Sequence, residues 1–140
     1  MATDMLSSGI TKFGACVILA HPTTKELVTV SRKPDSKERC FPGGKVEEGE
    51  LFSLAAVREL QEEAGICFNP CLLTPVYSGR CTGGWTTAFL GSLPANFDIS
   101  KYVSPEGLSL KMMTGLEFLK VSAFPEFDKK ALRAVEKLLT

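Results

Sequence analysis

A chain of 140 residues with 44% hydrophobic and 23% charged side chains can bury one core and is too apolar to be disordered. Sixteen basic and sixteen acidic residues cancel, so overall charge gives no argument for a polyanion-binding surface. Five cysteines, an odd number with no secretory pattern before them, read as free thiols, and the longest apolar run, Ala15 to Ala20, is far too short to span a bilayer, so a cytoplasmic location is expected.

In chain order, the continuous apolar run Gly14 to Ala20 predicts a buried strand, and His21 to Lys25, with Pro22, predicts a turn. Leu27 to Ser31 alternates and predicts a second strand pairing back on the first, with Arg32 at its end. Gly43 and Gly44 predict a turn entered through Phe41 and Pro42. Lys45 follows, but no P-loop is present, because Arg39 and Val46 stand where that motif needs Gly and Ser or Thr. A helix from about Phe52 to Ala64 buries Ala56, Val57, Leu60 and Ala64, and Gly65 supplies the left-handed residue that stops it. Leu72 to Cys81 and Trp85 to Leu93 predict a hairpin around Thr82-Gly83-Gly84. Pro94 to Gly107 predicts an irregular loop over the site, Leu108 to Met113 a strand. Phe127 to Leu139 predicts an amphipathic helix with Ala131, Leu132, Val135, Leu138 and Leu139 on one face. Together these give one domain over residues 1–140, a mixed sheet layered between helices in an α/β/α sandwich.

Chemistry concentrates between Gly44 and Ile66. On a helix, Glu59, Glu62 and Glu63 stand at i, i+3 and i+4 and project from one face. Like charges so spaced cost an isolated helix roughly 0.2–0.5 kcal/mol per pair, so compensation must come from outside, and divalent cations are the natural source. A plain solvated acidic face is the alternative. Against it, Arg58 lies four residues before Glu62, able to pair with it or with Glu50, and the glutamates flank the buried stripe as residues lining a cleft do. Cys67 and Cys71 are four apart and His21, the single histidine, is remote, so zinc is not expected; hard oxygen donors suit magnesium or manganese.

Residues 32 to 45 carry Arg32, Lys33, Lys37, Arg39 and Lys45 against Asp35 and Glu38, whereas residues 50 to 63 carry four glutamates against Arg58. A basic strand and loop beside an acidic helix suits a phosphate chain bridged by metal.

The array Gly44, five residues, Glu50, seven residues, Arg58-Glu59-Leu60-Gln61-Glu62-Glu63-Ala64-Gly65-Ile66 resembles the signature of the Nudix hydrolases at every defined position, and Phe41-Pro42-Gly43-Gly44-Lys45 resembles the lead-in of the MutT-like nucleoside triphosphate members. One departure is Leu51, where family helices place a capping Ser or Thr; Ser53 is then the expected cap of a helix starting slightly later.

The resemblance implies Glu59 and Glu63 as principal metal ligands, Glu62 as a further ligand or the base for the attacking water, the Gly44 carbonyl completing the shell, and Glu50 with Arg58 as the supporting ion pair. A further acidic ligand from a later loop is expected at Glu106, with Glu117 and Asp98 competing, and a plain surface carboxylate is the alternative for each. Candidate substrate contacts are Arg32, Arg39 and Lys45 for phosphate and Trp85 and Phe89 for stacking a base; surface or core roles are the alternatives. The implied reaction is Mg2+- or Mn2+-dependent cleavage of a nucleoside diphosphate linked to another group, a triphosphate giving monophosphate and pyrophosphate. ADP-ribose, a dinucleoside polyphosphate, an RNA 5′ end and a non-catalytic nucleotide-binding module are the alternatives. The expected partner is a small nucleotide, with a homodimer allowed and neither a membrane nor a DNA-binding surface indicated.

Overall fold

Strand β1 (Phe13–Ala20) organises the sheet, because its side chains are buried on both faces and its backbone pairs on both edges. The structure, a computed structural model, describes residues 12–139; the reading of the N-terminal segment lies outside them, as does the Leu139 side chain. On one edge β1 runs parallel to β6 (Gly84–Ser92), in register from Phe13 opposite Trp85 to Ala20 opposite Ser92, and β6 pairs antiparallel with β5 (Thr74–Cys81). On the other edge β1 meets two partners in succession: the short β4 (Gly43–Lys45) opposite residues 14–16, then β2 (Leu27–Ser31) at Ala20. The outer strands β3 (Arg39–Cys40) and β7 (Leu110–Met113) pair antiparallel with β2. One parallel pair among antiparallel ones makes the sheet mixed, as expected.

Alternation along β1 sends Ala15, Val17 and Leu19 to one face and Cys16, Ile18 and Ala20 to the other. The first face is covered by α1 (Phe52–Ala64), which buries Ala55, Ala56, Leu60 and Ala64; Ala55 rather than Val57 completes that stripe. The second is covered by α3 (Pro125–Leu139) through Phe127, Ala131, Leu132 and Val135, helped by Phe118 of the short α2 (Gly115–Leu119). The layered α/β/α order is therefore present. Each large side chain so buried contributes about 1.5–3 kcal/mol from water exclusion. Leu138, expected on the same face, is 59% exposed because it falls past the end of the sheet-facing stripe.

Several local expectations are corrected. Gly43 and Gly44 lie in β4 rather than in a turn, and neither has a positive φ; their missing side chains instead permit close packing, since a Cβ at Gly43 would fall 2.5 Å from the Ala15 carbonyl. Helix α1 starts at Phe52 with extended Leu51 as an N-cap that makes no side-chain bond, so Ser53 is not the cap. Residues Pro70–Leu72 form a 3-10 turn, which delays β5 to Thr74. The hairpin turn narrows to Thr82 and Gly83, whose φ values of 47° and 80° give the two left-handed positions that match strand twist. At its C-terminus α1 ends on Gly65 at φ 70°, whose amide bonds the Gln61 carbonyl and whose bare Cα admits the Val103 carbonyl.

Candidate active site

Helix α1 lies against β4, and that contact assembles the acidic cluster. A Cβ on Gly44 would sit 2.6 Å from the Glu59 carboxyl carbon, so only glycine lets this carboxylate reach the strand. The Gly43 amide donates to Glu63 Oε1 at 3.0 Å. Arg58 gathers the rest. Its Nε and Nη2 hold both Glu50 oxygens at 2.9 and 3.0 Å, Nη1 reaches Glu59 at 3.0 Å and Glu62 at 3.3 Å, and Nη2 also donates to the Lys45 carbonyl at 2.9 Å. A planar fork with several fixed donors is suited to this task in a way a lysine ammonium is not.

The carboxylates are thereby driven apart in acidity. The Arg58 hydrogen bonds, with the Glu47 amide, hold Glu50 down at about 2. Burial pushes Glu59 up, against the pull of Arg58 and with repulsion from Glu62 and Glu106. Glu63 goes to about 8, chiefly through burial, then through Glu59, Glu106 and Glu62, with the Gly43 amide the sole opposing influence. Glu106 therefore stands close enough to add its field to both ligand candidates. It rides on the exposed loop that packs over Gly65 through Val103, and its amide is tied to Ser104 Oγ at 3.2 Å. The competing acids have local duties: Asp98 caps a 3-10 turn through Ser100, and Glu117 forms a capping box with Thr114 at the start of α2.

Among the described residues no three acidic, thiol or imidazole side chains already stand at metal-ligand spacing. The donor chemistry nevertheless fits a hard divalent cation: crowded, partly buried carboxylates share one guanidinium, and the most buried of them has only a backbone N–H to offset its charge.

Beyond β4, on the α3 side, a cavity of about 440 Å³ opens between β1, the β5–β6 hairpin and the start of α3. Gly43, Gly44 and Lys45 line it, so β4 is a wall common to the cavity and the acidic cluster. Trp85 also lines it, as does Asp128, a 3% exposed carboxylate that burial pushes up to about 6. Asp128 was not expected from sequence; an acidic residue in the first turn of a terminal helix ordinarily reads as a favourable end charge. Cys16, Cys40 and Cys81 line the same space with their thiol pKa values raised, chiefly by burial.

Of the other predicted contacts, Lys45 is exposed at the cavity edge. Arg32 stands over the Phe124 ring at 5.4 Å and pairs with Glu38 at 3.4 Å, one ring removed from the cavity. Arg39 is turned away: its guanidinium is spent on Thr29 and on Ser109, at 2.7–3.2 Å, and staples β2 to the residue that enters β7. Phe89 is packed in the core under α1 and does not line the cavity, because its position in β6 faces that helix.

The NUDIX domain profile matches residues 11–92. No curated protein matches the chain by sequence. Among solved structures, a MutT from Aliivibrio salmonicida or Vibrio cholerae superposes with a TM-score of 0.67 at 26% identity, covering 90% of this chain and 98% of that one. The E. coli dihydroneopterin triphosphate pyrophosphohydrolase gives 0.69 at 20% identity over 89% and 96%. A C. elegans Ap4A hydrolase gives 0.69 at 21% identity over 92% and 98%. The chain belongs to the Nudix family, and is a hydrolase acting on pyrophosphate linkages. Enzymes of this family generally use a divalent metal ion. No described helix is long and apolar enough to cross a membrane.

Proposed function

We propose that this chain hydrolyses a nucleoside triphosphate to the monophosphate and pyrophosphate, with Mg2+ or Mn2+ held by the cluster on α1. The supporting observation is the wall that cavity and cluster have in common. A ligand seated in the cavity has to pass Gly43–Lys45 to reach Glu59 and Glu63, which is the path of a base and sugar followed by a phosphate chain. The volume, about 440 Å³, lies within the range of small-ligand sites. The MutT likeness points the same way, at a compact chain of nearly equal length.

In this reading Glu59 and Glu63 are the principal ligands, joined by the Gly44 carbonyl and by Glu106. When bound, the cation would supply neutralisation of the phosphate oxygens and polarisation of the attacking water. Glu62, the most exposed of the helix carboxylates, accepts the proton that water loses or joins the ligands. Arg58 keeps Glu50 and the loop in register with α1. Lys45 meets a phosphate at the cavity edge. Trp85 offers an aromatic surface at the cavity, and Asp128 offers an acceptor for a base N–H. Water adds to one phosphorus of the anhydride, the bridging P–O bond breaks, and one proton leaves with the products.

A nucleotide panel assayed separately for pyrophosphate and orthophosphate, with Mg2+, Mn2+ or chelator, tests this. Pyrophosphate release from triphosphates that vanishes with chelator is expected. Turnover confined to ADP-ribose or dinucleoside polyphosphates would reassign the substrate, and tight nucleotide binding without turnover would make the chain a sensor.

A further inference from the structure

The segment leading into α3 is anchored more firmly than its irregular sequence suggests, and its anchors converge on Asp128. Arg39 bonds it on both sides of Ser122, accepting from the Ala123 amide and donating its own amide to the Val121 carbonyl, each at 2.9 Å. Arg39 is in turn fixed by its buried guanidinium on Thr29 and Ser109. Ser122 Oγ donates to Asp128 Oδ2 at 2.6 Å while accepting from the Phe124 amide at 3.0 Å, so one hydroxyl ties a cavity carboxylate to a cavity ring. Asp128 lines the cavity, and its Oδ1 makes no hydrogen bond among the described residues, which leaves that oxygen for a ligand.

We propose that Ser122 is a positioning residue for substrate recognition: by holding Oδ2 it aims Oδ1 into the cavity, ready to accept an N–H from the ligand. The inference rests on the cavity receiving the nucleoside, as set out above. Two effects combine. The short O–H to carboxylate bond fixes the rotamer, and donation to the charged form favours ionisation against the cost of burial. The groups facing Asp128 offer no substitute. Cys16 from β1, Cys40 from β3 and Cys81 from β5 feel its charge, and burial keeps all three thiols protonated, while the ammonium groups bordering the cavity, Lys12 and Lys45, are exposed.

The test uses the metal-free chain first. Carboxyl 13C titration of wild type, Ser122→Ala and Ser122→Thr should show the Asp128 midpoint rising by about one pH unit in the alanine variant and returning in the threonine variant. Steady-state assays with Mg2+ and nucleoside triphosphates should then show KM raised about tenfold near neutral pH in Ser122→Ala, with kcat little changed and the acid limb of kcat/KM moved to higher pH. Should Ser122→Ala fail to fold, Ser122→Cys, a weaker donor of similar shape, should give a smaller shift in the same direction. Asp128→Ala, which removes both acceptor oxygens, separates the two ideas. If it leaves KM unchanged for every nucleotide, the nucleoside reading of the cavity falls. If it raises KM while Ser122→Ala alters neither the titration nor KM, only the role of Ser122 falls.

Discussion

On the α1 side of β4, carboxylates crowd around one guanidinium; on the α3 side, a single carboxylate lies among thiols and aromatic rings with one hydroxyl for company. Burial raises pKa values in both places, but the remedies differ. Arg58 satisfies Glu50 fully and Glu59 in part, leaving Glu63 with a lone amide and a pKa near 8. Buried and flanked by like charge, Glu63 leaves an unmet demand for positive charge, which in the proposed reading a cation answers. Asp128 has no comparable repulsion, and its demand is for a hydrogen bond. In the proposed reading, one strand thus divides a site for an ion from a site for a polar organic group.

Substitutions should separate the two sides. The largest effect belongs to Glu63→Gln, which should lower kcat by more than about 10³-fold if this residue is a ligand, with the fold intact. Stability should change in the opposite sense. The folded pKa of about 8 exceeds the ordinary 4.5, so the stabilisation from a protonated Glu63 is complete below about 4.5 and is lost as pH rises through 8. Without metal, Glu63→Gln should therefore melt higher than wild type at about pH 9, by the equivalent of at least ~1 kcal/mol, and equally near pH 4. Activity close to wild type would remove Glu63 from the ligand set.

Next, Arg58→Lys should cost about 10²-fold in kcat/KM, because an ammonium cannot hold Glu50 bidentately and also reach Glu59 and the Lys45 carbonyl. A milder change, Gly44→Ala, should displace the Glu59 carboxylate and weaken metal affinity about tenfold, read as the Mn2+ concentration for half-maximal rate. Smallest in catalysis is Phe89→Ala: it should destabilise the fold by about 3 kcal/mol in urea titrations while KM stays unchanged, as suits a core ring. A raised KM would return Phe89 to the binding site.

What could be read from the residues follows from how far apart the cooperating groups lie in the chain. Gly44 to Ile66 is one strand, one loop and one helix, so spacing alone brought Glu50, Arg58, Glu59, Glu62 and Glu63 into a single reading. The long strands, the hairpin and the terminal helix carried periodic patterns strong enough to place. Strands β3 and β4 did not, being two and three residues long, with two of the three in β4 glycine; they exist because β1 and β2 offer open edges. The five-residue α2 carries a signal at its start, Thr114 three before Glu117. The charge of Arg39 suggests a phosphate contact, whereas its register opposite Ser31 turns it beneath the sheet edge. Asp128 meets Cys16 and Cys81 only after the sheet has closed, so no local pattern announced it.

The parallel pairing of β1 with β6 has a consequence for renaturation. Those neighbours are joined through everything from His21 to Gly83, including α1, so the chain must gather that long excursion before the central ladder can zip. The mutually repelling glutamates meet within α1 itself, before that ladder closes, so ions in the refolding buffer should speed the local formation of α1 more than the final zipping.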